Sequence, residues 1–134
     1  SKMQNQRKID ASIQIITSVN DDSERATIRA KKTLAFYVSV GKIYREFLAS
    51  NGFKNETENI FEEYKKTGLQ NNYELVPDSM INELCISGTP DECKKQLKQF
   101  CETGIDLPII QFNPTDNVQE SFDLFTSTFS EVSD

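Results

Sequence analysis

The 134-residue sequence contains no histidine. Any Ser-His or Cys-His catalytic pair is excluded with it, and so are histidine-based metal sites. There is no long apolar run, and with 37% hydrophobic and 27% charged residues the composition is that of a soluble globular domain without a transmembrane span. Basic charge is also in short supply. A formal net charge of −6 argues against nucleic-acid partners, because phosphate backbones require clustered Lys and Arg. The basic cluster from Arg25 to Lys32 lies among helix formers and is expected to be a solvated helix face. Cysteines number three, and the spacing of Cys85, Cys93 and Cys101 matches no metal or redox pattern. Without a signal peptide, a reduced, cytoplasmic protein with no membrane partner is expected. Cys93 and Cys101 fall on one helix face with Leu97, as small core residues do.

What is present reads as alternating strands and helices in one modest domain. "ASIQIITSV", Ala11 to Val19, is Ile- and Val-rich and ends at Asn20-Asp21-Asp22, a strand running into a helix start in which Asp21 and Glu24 form a capping box. The following helix aligns Ala26, Ala30, Leu34, Tyr37 and Val38 on a core-facing stripe, and Gly41 interrupts it. A second piece carries Ile43, Tyr44, Phe47 and Leu48 to a left-handed stop at Asn51-Gly52. Asn55 and Glu58 open a third helix with Ile60, Phe61 and Tyr64 inward and Gly68 at its end. "LQNNYEL" is loop-like, and Pro77-Asp78-Ser79 introduces a short helix with Met80, Ile81 and Leu84.

The stretch "ISGTPDECKKQLKQFCETGIDLPIIQFNP", from Ile86, poses the functional question. A glycine before a helix start can cradle a phosphate on unpaired N–H groups. The same residues also spell a cap, with Thr89 at the N-cap, Pro90 at N1 and Glu92 reaching back to the Thr89 amide. Asp91 and Glu92 already complement the helix dipole and would repel an anion, so capping is the favoured reading. The helix stops at Gly104 and leads into "LPIIQF", Leu107 to Phe112, a strand apolar enough to be buried on both faces. A last helix begins near Asp116 and aligns Val118, Phe122, Phe125 and Phe129. Two strands, one near each end, do not make a self-sufficient sheet. Together with a start at Ser1-Lys2-Met3, this suggests a C-terminal fragment or a chain completed by a partner, and a homo-oligomer is one form of that.

"VPDSMINELCISGTPDECKKQLKQFCETGIDLPIIQFNP", Val76 to Pro114, resembles the C-terminal signature of the bacterial luciferase-like flavin and deazaflavin oxidoreductases, most closely the methylene-tetrahydromethanopterin reductases. The similarity lies in the Met80-Ile81 pair, the Gly88 to Glu92 helix start, the Gly104 turn and the final strand. Upstream, "NDDSERATIRAKKTLAFYV" resembles the acidic pair and Arg/Ala helix that precede it. The resemblance implies the C-terminal portion, the last two strands and their helices, of an α/β fold, the (β/α)8 TIM barrel, whose complete form needs roughly 250 residues. Ala11 to Val19 would be strand seven and Leu107 to Phe112 strand eight, side by side and parallel. Residues 1–134 would then form a single segment, helix-rich if isolated and inactive alone.

The implied chemistry of the parent protein is hydride transfer between reduced coenzyme F-420 and a pterin-bound C1 unit or similar small-molecule substrate. Most of the cofactor pocket would come from strands outside this chain. Candidate pocket-mouth residues are Thr17, Ser18 and Asn20 after strand seven, Gln111 and Asn113 after strand eight, and Gly88 and Thr89 at the same face. None is a general acid or base near neutral pH, so no catalytic residue and no metal ligand is assigned. Two alternatives stay open: an FMN-dependent luciferase-like monooxygenase, and a standalone helical protein-interaction module.

Overall fold

The computed structural model describes residues 14–102, 109–115 and 117–130. Its elements are β1 (Gln14–Val19), α1 (Ser23–Val40), α2 (Lys42–Leu48), α3 (Lys54–Thr67), α4 (Asp78–Leu84), β2 (Ile86–Gly88), α5 (Pro90–Glu102), β3 (Ile109–Phe112) and α6 (Val118–Ser130). The chain divides into two compact units, Ser1–Ala30 with Leu84–Asp134, and Lys31–Glu83.

The first unit holds a three-stranded sheet of order β2-β1-β3. β1 pairs in parallel with β3, Gln14 opposite Ile109 through Thr17 opposite Phe112, as expected for these two strands. The expected strand starts at Ala11 and Leu107 lie outside the described residues, as do Gly104 and Asp116. A third strand corrects the two-strand expectation. β2 pairs in parallel with the other side of β1, Thr17 opposite Ile86 and Val19 opposite Gly88. In a barrel, the other neighbour of strand seven would precede it in the chain, whereas β2 follows β1. The chain is therefore a helix-rich α/β protein with a small parallel sheet in non-consecutive order.

Alternation along β1 directs Ile15 and Val19 to one face, where they join Ile86, Cys93, Leu97, Phe100 and Phe129 in one apolar cluster, with Leu124 and Phe125 against it. Cys93 and Leu97 are core residues, as their spacing implies; the side chain of Cys101 lies outside the description. Of the expected α6 stripe, Phe125 and Phe129 pack on the core as expected, whereas Val118 and Phe122 do not. Val118 is 63% and Phe122 48% exposed, while Ser121, Thr128 and Phe129 are buried. Phe125 bridges Phe112 and Phe129 with edge-on ring contacts at 5.2 and 5.1 Å, and burying those rings turns the helix away from the Val118 face.

Of the expected α1 stripe, Ala26, Ala30, Leu34 and Val38 are fully buried and Tyr37 is half-buried. Its N-cap is Asp22 rather than Asp21: Asp22 Oδ1 accepts from the amides of Glu24 at 3.1 Å and Arg25 at 3.4 Å. Asn20 Oδ1 accepts from the Asp22 amide at 2.7 Å, and this turn is what aims Asp22 at the helix start.

In the second unit Gly41 ends α1 where a Cβ would meet the Tyr37 carbonyl at 2.8 Å. Arg45 then donates to the helix-end carbonyls of Val38 at 2.7 Å and Ser39 at 3.2 Å, while its guanidinium lies 3.7 Å from the Phe61 ring centroid. Gly52, at φ 101°, supplies the left-handed stop. The Asn55 and Glu58 opening of the next helix is not observed: α3 begins at Lys54 with no side-chain cap. The expected loop "LQNNYEL" contains a 3₁₀ turn, Asn72–Leu75. Its Asn72 is fully buried and donates to Ser39 Oγ at 2.8 Å, which replaces a polar loop with a buried hydrogen-bonded anchor. Lys31 pairs with Asp78 at 2.7 Å and Lys32 lies over Tyr73, so part of the basic helix face is partnered rather than simply solvated.

Candidate functional site

Parallel strands end together, and the carboxyl ends of β1, β2 and β3 bring Val19, Gly88 and Phe112 to one edge of the sheet. In open α/β sheets this edge, where successive connections run to opposite sides, is where ligands bind. The loops leaving it carry the polar residues that matter.

Asn20 ties the three strands together. Its amide donates to the Gly88 carbonyl at 3.0 Å, its Nδ2 donates to Thr115 Oγ1 at 2.8 Å, and its Oδ1 holds the Asp22 amide. Thr115 Oγ1 lies 3.0 Å from Ser121 Oγ, which also accepts from the Thr115 amide at 3.1 Å. Arg29 Nε donates to the Pro114 carbonyl at 2.8 Å. The loop after β3 is thus held from β1 and α1 on one side and from α6 on the other.

Asn113, following β3, is buried; its Nδ2 donates to the carbonyls of Thr17 at 3.2 Å and Gln111 at 3.0 Å. Thr17 and Ser18 do not follow the strand, as expected of pocket-mouth residues, but lie inside β1 and are completely buried. Pairing on both sides of β1 extends the strand through them. Thr17 Oγ1 donates to the Ile15 carbonyl at 2.9 Å. Ser18 Oγ is buried with no hydrogen-bond partner among the described residues. Gln111 is a half-buried residue of β3. Of the seven sequence candidates, the structure brings Asn20, Gly88, Thr89 and Asn113 to the strand-end edge and leaves Thr17, Ser18 and Gln111 within strands.

Gly88-Thr89 forms the reciprocal cap. The Thr89 amide donates to Glu92 Oε1 at 2.9 Å, and the Glu92 amide to Thr89 Oγ1 at 3.4 Å. The Thr89 amide and the Ser23 side chain hold the Glu92 carboxyl below its ordinary range. Gly88 has φ +134°, and a Cβ there would meet Glu92 Oε1 at 2.5 Å, so the cap itself requires glycine. An anionic cofactor phosphate does not fit this surface. The Thr89 amide is already bonded to Glu92 and the Glu24 and Arg25 amides to Asp22, and Asp91 adds a further exposed carboxylate.

Sequence reasoning missed Arg29, Thr115 and Ser121. The signal for the first two was Asn113-Pro114: the dipeptide marks a turn, and a turn carbonyl needs a donor from elsewhere. Among the described residues no cluster suited to a metal ion is present. No described helix is long and apolar enough to cross a membrane.

A parallel sheet with helical crossovers and a polar carboxyl edge defines an α/β protein of the kind that carries its chemistry at strand ends. The family model of the luciferase-like monooxygenases matches residues 2–107, and the chain belongs to that family. Its members are oxidoreductases that use flavin-type cofactors. The match stops short of β3, so Gln111, Asn113 and the clamped loop beyond lie outside it. No curated protein matches the chain.

Proposed function

We propose that this chain is the C-terminal scaffold segment of a luciferase-like oxidoreductase that transfers a hydride between reduced coenzyme F-420 and a pterin-bound C1 unit or similar small molecule. The observation that carries this reading is the parallel β1–β3 pair, with its carboxyl ends fastened by Asn20–Thr115 and Arg29–Pro114, in a chain of this family. The acid-capped helix starts support a division of labour. The cofactor is held mainly by parts of the barrel outside these residues, while this segment fixes the loops at the strand ends and excludes water from them. The similarity to methylene-tetrahydromethanopterin reductases in Val76 to Pro114 favours the deazaflavin. The family's description as monooxygenases favours FMN as the second reading. The buried thiols of Cys85 and Cys93 suit a cytoplasmic setting.

Titration of the 134-residue chain and of the complete protein with each cofactor, followed by cofactor fluorescence, tests the proposal. The chain alone should show no saturation at micromolar concentration, and the complete protein should saturate with coenzyme F-420. Stoichiometric tight binding by the chain alone would overturn the scaffold reading, and saturation of the complete protein by FMN only would replace the deazaflavin.

A further inference from the structure

The edges of the sheet are not alike. β2 is three residues long and, among the described strands, pairs with β1 alone. In a parallel strand the N–H and C=O of a residue point the same way and alternate between sides from one residue to the next. The Gly88 carbonyl is engaged on the β1 side, by the Asn20 amide at 3.0 Å, so Ser87 is the residue of β2 that turns its backbone outward. Both of its outward groups are taken by one side chain. The Ser87 amide donates to Gln96 Oε1 at 2.9 Å, and Gln96 Nε2 donates to the Ser87 carbonyl at 2.7 Å. A primary amide can turn one N–H and its oxygen to the same side in one plane, the same donor–acceptor pair a neighbouring strand would offer. Gln96 therefore occupies the whole outer edge of β2. Its own helix, α5, holds it there through Cys93 and Leu97 in the core.

β3 carries no such cover from the described residues. It pairs with β1 and with no other described strand. All three strands are parallel, so the outer edge of β3 in one molecule matches the outer edge of β2 in another, head to tail in one continuing sheet. Such a heterologous contact continues into an open-ended assembly unless its rotation happens to close a ring. Exposed strand edges of this kind invite pairing unless they are guarded.

We propose that Gln96 is a built-in surrogate strand that blocks addition of β3 from a second copy of this chain to the β2 edge. The argument is independent of the cofactor and of the reaction.

Two variants of the full chain, Gln96→Ala and Gln96→Lys, test it by sedimentation velocity from micromolar to millimolar concentration, with hydrogen exchange read at the Ser87 amide. Gln96→Ala removes the cover. Dilute, its Ser87 amide should exchange about tenfold faster than in the unaltered chain; concentrated, it should form an open series of oligomers beyond any association of the unaltered chain, with the Ser87 amide protected again. Gln96→Lys also frees the Ser87 groups but guards the edge with charge. It should show the faster exchange without the added association. The proposal is overturned if Gln96→Ala sediments like the unaltered chain at every concentration, if it forms only a closed dimer, or if both variants associate alike. Loss of the native circular dichroism spectrum in Gln96→Ala also overturns it, since an edge guard does not decide whether the sheet forms.

Discussion

Replacing Gly88 by Ala tests the conclusion that the glycine serves the cap. The new Cβ would sit 2.5 Å from Glu92 Oε1 and 3.1 Å from Glu92 Cβ, so the carboxylate must leave the Thr89 amide that it holds at 2.9 Å. Losing that cap bond costs about 1 kcal/mol. Holding alanine at φ +134° adds ~1–2 kcal/mol of backbone strain. Reduced freedom of the unfolded chain returns ~0.5–1 kcal/mol. The net is about 2 kcal/mol, which for a chain of this size lowers Tm by about 8 °C. A double-mutant cycle separates the parts. Glu92→Ala alone should cost about 1 kcal/mol, and in that background Gly88→Ala should cost only its residual strain, leaving a coupling of about 1 kcal/mol between the two positions. Urea midpoints on the four proteins supply all of these values. An equal cost of Gly88→Ala in both backgrounds would refute the steric link to Glu92, and an unchanged or raised Tm would refute the backbone argument too.

Burial pushes the thiols of Cys85 and Cys93 up to about 12, so iodoacetamide at mildly alkaline pH should label neither in the folded chain and both in denaturant; native labelling located by peptide mass spectrometry would contradict the packing. The Glu92 carboxyl titrates below its ordinary value when folded, so its contribution is fully present above the unfolded pKa and disappears as pH falls through the lowered one. Glu92→Gln should therefore flatten the dependence of urea midpoint on pH below about 5 and leave the slope near neutrality unchanged; parallel curves for the two proteins would show that the hydrogen bonds to Thr89 and Ser23 do not persist in solution. Asn113→Ala removes donors to the Thr17 and Gln111 carbonyls and should destabilise by about 1–2 kcal/mol without weakening cofactor binding in the complete protein. A tenfold affinity loss at unchanged Tm would instead make Asn113 a ligand contact.

The elements legible in the sequence are those whose cause is local. Ala26, Ala30, Leu34 and Val38 repeat at the helical period and are buried, and Thr89-Pro90-Asp91-Glu92 contains both halves of its own cap. The pairing of β1 with β3 followed from two apolar runs joined by helices. β2 could not be read in the same way. Three residues ending in glycine carry no period, and Ile86–Gly88 is a strand because β1 offers it a partner. The cap shifted from Asp21 to Asp22 because Asn20 turns the backbone first. Spacing places Val118 and Phe122 on the same α6 stripe as Phe125 and Phe129, but the ring contacts of Phe125 with Phe112 and Phe129 and the bond from the Thr115 amide to Ser121 Oγ turn the first two outward. Such choices depend on contacts between distant residues, which a periodic pattern does not contain.

The same distinction governs the site. Amides and hydroxyls at strand ends are what a pocket mouth requires, and Asn20, Thr89 and Asn113 do stand at or beside the carboxyl edge. Yet each has its polar groups engaged within the chain: Asn20 with Gly88, Asp22 and Thr115, Thr89 with Glu92, Asn113 with Thr17 and Gln111. A ligand bonding to these groups would have to replace bonds already made, gaining only the difference between the two sets. Ser18 is the opposite case, a hydroxyl buried in the central strand without a partner among the described residues, yet it is closed to solvent and contributes nothing to a surface. A family whose members use flavin-type cofactors therefore has, in this segment, an edge whose bonds are spent on holding β1, β2 and the loop after β3 together. On the proposed function, the binding of an anionic cofactor falls to donors outside this edge, because the acidic cap residues Asp22, Asp91 and Glu92 repel a phosphate approaching from their side.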